Sequence, residues 1–146
     1  MNNMYSDIRS SVRSLCSEFS SEYWQELDKK TAYPKEFVSA MTESGFLGAL
    51  IPEEYGGSGL GISAASAILE EIHLSGGNAA ACHAQMYIMG TLLRHGSLTQ
   101  KDKYLPKIAT GEIRLQAFGV TEPSSGTDTA SLSTTAKKNG NEYIVN

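Results

Sequence analysis

The chain is 146 residues long, 40% of them hydrophobic and 19% charged, with a formal net charge of −4. That is the composition of an ordinary globular protein with enough chain for one core. The acidic balance and the lack of a basic block argue against nucleic acid as a partner, and no apolar run approaches the roughly 20 residues that a membrane-spanning helix needs.

Residues 4–27 read as one or two helices, with Ile8, Val12, Leu15 and Phe19 on one buried face and Tyr23 and Trp24 continuing the packing. Arg9, Arg13 and several serines give this stretch a faint transit-peptide look, but Asp7 and Glu18 argue against one, and there is no apolar signal core. Tyr33-Pro34 opens the next helix, since proline suits a first helical turn; Phe37, Val38 and Met41 form its stripe, and Gly45 is placed to end it. Residues 46–61 form a long loop. Its glycines, Gly56, Gly57, Gly59 and Gly61, have the wrong spacing for a nucleotide fingerprint and follow no strand, so they predict a structural turn.

Residues 62–74 predict an amphipathic helix with Ile62, Ala65, Leu69 and Ile72 on one face and Glu70 and Glu71 turned to water or a partner. Asn78 is a suitable cap for the next helix. Residues 79–93 are apolar nearly all round, which predicts a helix buried in the middle of a bundle. The histidines show no catalytic spacing: His83 reads as a core or surface residue, and His73 and His95 sit at helix ends. Thr99, with Asp102 three residues on, predicts the cap of a further helix; Tyr104, Leu105 and Ile108 are its apolar face, Pro106 predicts a kink or an early stop, and Gly111 closes it. Cys16 and Cys82 share no metal or redox spacing, so a reduced, intracellular protein without a metal site is expected.

Beyond Gly111 the chain changes character. Residues 114–120 alternate as a strand does, and Pro123 should end that strand near Glu122. Residues 132–136 predict a second strand. Asn139-Gly140 ahead of Glu142-Tyr143-Ile144-Val145 is a two-residue hairpin signal. Between the strands lies Thr121-Glu122-Pro123-Ser124-Ser125-Gly126-Thr127-Asp128. Its successive N–H groups and hydroxyls suit an anion, and Gly126 allows close approach. On the residues alone a plain hydroxyl-rich turn at a strand end is the favoured reading, with a phosphate or cofactor site as the alternative.

Phe118-Gly119-Val120-Thr121-Glu122-Pro123, followed by Gly126-Thr127-Asp128, resembles the first signature of the acyl-CoA dehydrogenase family. The resemblance extends over nearly the whole chain, in the family's order. It takes in Ala32-Tyr33-Pro34-Lys35-Glu36-Phe37, Ile51-Pro52-Glu53-Glu54-Tyr55-Gly56-Gly57, Leu69-Glu70-Glu71-Ile72, Gln100-Lys101-Asp102-Lys103-Tyr104-Leu105-Pro106 and Gly140-Asn141-Glu142-Tyr143-Ile144-Val145-Asn146.

It implies a mainly α fold. An all-helical bundle over residues 1–111 would lead into the first strands of an antiparallel β-domain over residues 112–146. It also implies FAD as cofactor and an acyl-CoA thioester as substrate, oxidised to the trans-2-enoyl thioester. Carried over by position, Phe118, Gly119, Val120, Thr121, Gly126 and Thr127 would bind the flavin; Thr127, Gln85, Met86 and Met89 would approach the acyl-CoA, although core packing is the plainer role for both methionines. Ser124 and Ser125 stand where the family commonly has glycine and alanine, and Thr127 where it usually has serine.

The family's catalytic base comes far later in its chain, so no catalytic residue is assigned, Glu122 is expected to fix the loop, and the 146-residue chain is expected to be inactive alone. Because Tyr143-Ile144-Val145-Asn146 ends inside a strand that expects a neighbour, the sequence reads as the truncated N-terminal part of a longer enzyme, homo-oligomeric when full-length. It would lie in the cytoplasm, or in the mitochondrial matrix for a eukaryotic source. The electron acceptor stays open. The alternative is a short non-catalytic module for acyl-CoA binding or subunit pairing.

Overall fold

The computed structural model describes residues 5–146. Among these residues six α-helices precede one hairpin: α1 Ser6–Cys16, α2 Ser21–Lys29, α3 Lys35–Glu43, α4 Ile62–Leu74, α5 Ala80–His95 and α6 Leu98–Ala109, then β1 Ala136–Asn139 and β2 Glu142–Val145. Mainly helical architecture with a terminal antiparallel pair is the expected fold class.

Local chemistry explains most boundaries. The Ser20 side chain accepts from the Tyr23 amide at 3.4 Å and starts α2. Pro34 leads into α3, and Gly45, at φ 77°, carries the chain out of it. The loop after α3 holds two short 3₁₀ turns, Phe46–Gly48 and Glu53–Tyr55. Helix α6 starts two residues earlier than the Thr99 cap predicts. Ser97 is the cap, in a reciprocal box: the Gln100 amide donates to Ser97 Oγ at 3.2 Å, and the Ser97 amide donates to Gln100 Oε1 at 2.8 Å. With its N-terminus so fixed, α6 runs on through Pro106 to Ala109, without the early stop expected there.

The core joins Val12 of α1, Phe37, Val38 and Met41 of α3, Leu47 and Ile51 of the loop, Ile68 and Ile72 of α4, Met89 of α5, and Leu105 and Ile108 of α6. Phe19, Tyr23, Trp24 and Phe37 meet edge to face with centroids 4.9–5.2 Å apart.

Three expectations are corrected. Ile62 is 74% exposed, because the buried face of α4 centres on Ala64, Ala65, Ile68 and Ile72 instead. Glu71 does not face water; it is 2% exposed. Arg9 Nη1 donates to its Oε1 at 3.0 Å, and Arg13 donates to its Oε2 from Nη2 at 2.8 Å and from Nε at 3.2 Å, so two guanidiniums of α1 cover one carboxylate of α4. Helix α5 is not buried all round: Cys82, Gln85, Met86 and Met89 face the core, while His83, Tyr87 and Thr91 are exposed.

The strand expected over residues 114–120 is extended chain without a ladder, since no strand lies beside it among the described residues. Side chains hold it instead: Arg114 Nη1 donates to Thr42 Oγ1 at 2.8 Å, and Tyr33 Oη donates to Gln116 Oε1 at 2.6 Å. The hairpin forms as expected, but its two-residue loop is Gly140-Asn141, with Gly140 at φ 62°, and β1 begins at Ala136 rather than Leu132. Asn139 pairs with Glu142 and Ala136 with Val145; beyond them Thr135 and Asn146 exchange both backbone bonds, at 2.9 and 3.1 Å. Asn146 is thus paired with Thr135, and in this register Ser133 and Thr134 have no residue opposite them; their amides donate elsewhere.

Candidate functional site

Those amides are held by Glu122. Its Oε2 accepts from the Ser133 amide and the Ser133 hydroxyl, and its Oε1 from the Thr134 amide, each at 2.8 Å. The bonds from Thr134 and Ser133 hold the Glu122 carboxyl at about 2, well below its ordinary value. The rest of the loop is knitted locally. Glu122 and Ser125 exchange backbone bonds at 2.8 and 3.1 Å. The buried Ser125 hydroxyl donates to the Asp128 carbonyl. The Asp128 carboxylate takes the Ala130 amide at 3.2 Å and the Ser131 hydroxyl. This is an Asx-type turn closing on the short 3₁₀ turn Thr129–Ser131.

What the loop leaves unbonded matters as much. The backbone amides of Gly119, Val120, Thr121, Gly126 and Thr127 donate to no protein acceptor among the described residues. A Cβ built at Gly119 or Gly126 would meet nothing within 4 Å. Both glycines therefore face room that a ligand can fill, and this donor set fits a phosphate-bearing group.

Phe118 is 59% exposed and lies edge to face against Tyr87, with centroids 5.0 Å apart; Tyr87 in turn meets His83 at 5.2 Å. Beside them is an open groove of about 540 Å³ lined by Tyr87, Ile88, Leu92, His95, Ala117 and Phe118.

The six loop residues expected at a cofactor thus lie along one stretch, half-buried at Val120 and exposed at the other five, with Thr127 among them. Gln85, Met86 and Met89 lie elsewhere, turned into the core. Gln85 is linked to the loop's approach, since Gln116 Nε2 donates to Gln85 Oε1 at 3.4 Å, and its own Nε2 meets no acceptor among the described residues. Sequence reasoning missed the exposed ladder His83–Tyr87–Phe118. The four-residue spacing of His83 and Tyr87 on one helical face was its only available signal. Burial pushes the Cys82 thiol up to about 12, which disfavours the thiolate that a nucleophile needs. No helix of the described residues is long and apolar enough to cross a membrane.

The family model for the acyl-CoA dehydrogenase N-terminal domain matches residues 3–112. The chain belongs to the acyl-CoA dehydrogenase family. It is 38% identical over 141 residues to a 3-(aryl)acrylate reductase of Clostridium sporogenes, a match covering 92% of this chain and 37% of that protein. Among solved structures, an acyl-CoA dehydrogenase from Geobacillus kaustophilus superposes with a TM-score of 0.84 at 30% identity, covering all of this chain and 38% of that one. An acyl-CoA dehydrogenase complexed with FAD from Bacillus anthracis superposes at 0.77 with 31% identity, covering all of this chain and 26% of that one. The chain therefore spans little more than a third of the first two proteins it matches.

Proposed function

We propose that this chain is the N-terminal portion of a flavin-dependent acyl-CoA dehydrogenase. In this reading residues 1–111 form the helical domain and residues 112–146 begin the β-domain. The observation that carries it is the set of unbonded amides at Gly119–Thr121 and Gly126–Thr127, together with the open space at the Cβ positions of Gly119 and Gly126.

FAD, when bound, would supply the redox chemistry as a hydride acceptor. The chain's own part is to bind and orient. Gly126 and Thr127 offer amides, and Thr127 a hydroxyl, to the pyrophosphate; Gly119, Val120 and Thr121 offer theirs to the ring; Phe118 packs beside it. Thr127 also serves the acyl-CoA. Met86 and Met89 support the α5 wall from the core side, and Gln85 braces the approach to the loop through Gln116. Glu122 is an acid of the loop, but its oxygens already accept from three donors, so it is assigned no proton abstraction. This chain is read as lacking the catalytic base.

A fluorescence titration of the purified 146-residue protein with FAD, followed by an acyl-CoA-dependent dye-reduction assay, tests the reading. The expected result is weak FAD binding and no dye reduction. Turnover by this chain alone overturns the assignment of the base to residues outside it. Absence of any FAD binding overturns the assignment of the loop.

A further inference from the structure

We propose that Glu122 is the positioning residue of the donor loop: by gripping Ser133 and Thr134, its carboxylate holds residues 119–127 in the conformation that presents their free amides to an anionic cofactor. The choice of ligand rests on the flavin reading above; the clamp itself rests on the loop's own geometry.

The loop's other bonds are short-range. Glu122 with Ser125, Ser125 with Asp128, and Asp128 with Ala130 and Ser131 all fall within residues 122–131. They shape a turn without tying it to anything else. The Glu122 bonds reach 11 and 12 residues along the chain, to the root of the hairpin, where Thr135 and Asn146 close the ladder. Loop and hairpin are thereby one unit. A loop held in its binding conformation has less ordering entropy to lose on binding.

The chemistry also requires a carboxylate. Two of the three donors are backbone amides, one on each oxygen, and a backbone amide cannot accept. A glutamine keeps the shape but puts an NH₂ against one of those amides; only the Ser133 hydroxyl can turn to accommodate it.

Positioning and plain electrostatics predict opposite signs. A negative charge beside an anion site disfavours the anion, so a carboxylate that acted only by its charge would weaken binding, and its removal would strengthen it. A clamp does the reverse.

The test uses the 146-residue protein as wild type, Glu122→Ala and Glu122→Gln. Three quantities are measured: amide hydrogen exchange at Ser133 and Thr134, FAD affinity by fluorescence titration, and the thermal midpoint of the helices. In Glu122→Ala the two amides are expected to exchange about tenfold faster or more, with a loss of FAD affinity of similar size, since each charge-assisted bond removed is worth about a factor of ten. Glu122→Gln falls between, and the thermal midpoint does not move. Unchanged exchange, or FAD affinity that rises when the charge is removed, overturns the proposal. If wild type binds no FAD, the flavin reading fails instead, and the exchange rates alone decide the clamp.

Discussion

At the scale of single residues, two positions carry most of the local determinism. Glu122 is held at about 2 against a reference of 4.5 by bonds from Thr134 and Ser133. A carboxyl lowered on folding contributes stability above its unfolded value and loses it as the pH falls through its folded one. The clamp is therefore complete at about pH 5 and opens only toward pH 2. An NMR titration of the Ser133 and Thr134 amide shifts should give a midpoint near the lower value; a midpoint near 4.5 would show a free carboxylate. Gly57 is the second position. A Cβ there would lie 2.1 Å from the Ile51 carbonyl and 2.6 Å from that of Gly48, so backbone, not a flexible side chain, has to move. Gly57→Ala should destabilise by about 3 kcal/mol in a urea melt, the upper end of the usual overpacking cost. Within the glycine-rich stretch at residues 56–61, read from sequence as a structural turn, Gly57 is the position that close packing requires.

At the scale of elements, α1 is pinned to α4 by charge as well as by Val12. Burial pushes the Glu71 carboxyl up, and the hydrogen bonds from Arg9 and Arg13 more than offset it, leaving it below its ordinary value. The sign is the same as for Glu122: the triad stabilises above the unfolded carboxylate value and weakens as acid protonates it. Glu71→Gln should destabilise by about 2 kcal/mol at neutral pH, less than a fully buried pair, because Arg13 is 64% exposed and regains water. Melts at falling pH should show the difference between wild type and variant shrinking; a constant difference would mean packing, not charge. The triad also marks where sequence reading stops. The bounds of α4, the Pro34 entry to α3 and the existence of the hairpin follow from local spacing and turn chemistry, and all were legible. The burial of Glu71 depends on two arginines 58 and 62 residues away. The loss of the 114–120 ladder depends on a neighbouring strand, and the grip of Glu122 on two amides 11 and 12 residues off joins segments that no local window spans. Local pattern holds none of that information. The donor loop was legible as a candidate, but its clamp and the aromatic ladder beside it were not.

At the scale of the molecule, the core and the donor loop are energetically separate. The buried cluster runs from Val12 to Ile108, and the last side chain packed on it is Leu115. Every residue of β1 and β2 is exposed, and the large side chains of Tyr143, Ile144 and Val145 stand open to solvent. Two strands alone are marginal in water, so the hairpin gains little from the helices and gives little back. Removing residues 122–146 deletes no core contact and leaves the Arg114, Gln116 and Phe118 contacts in place. That deletion should change the unfolding free energy of the helical body by less than about 1 kcal/mol, as expected for surface changes away from the core. It should abolish FAD binding by the residues read as the pyrophosphate site. Thermal melts and flavin titrations on the same two proteins check both halves. A large loss of stability would mean that the hairpin packs on the helices in solution; unchanged FAD affinity would move the cofactor site off the loop. A stable helical body carrying a loosely coupled donor loop fits a fold in which the site is completed from more than one part of the polypeptide.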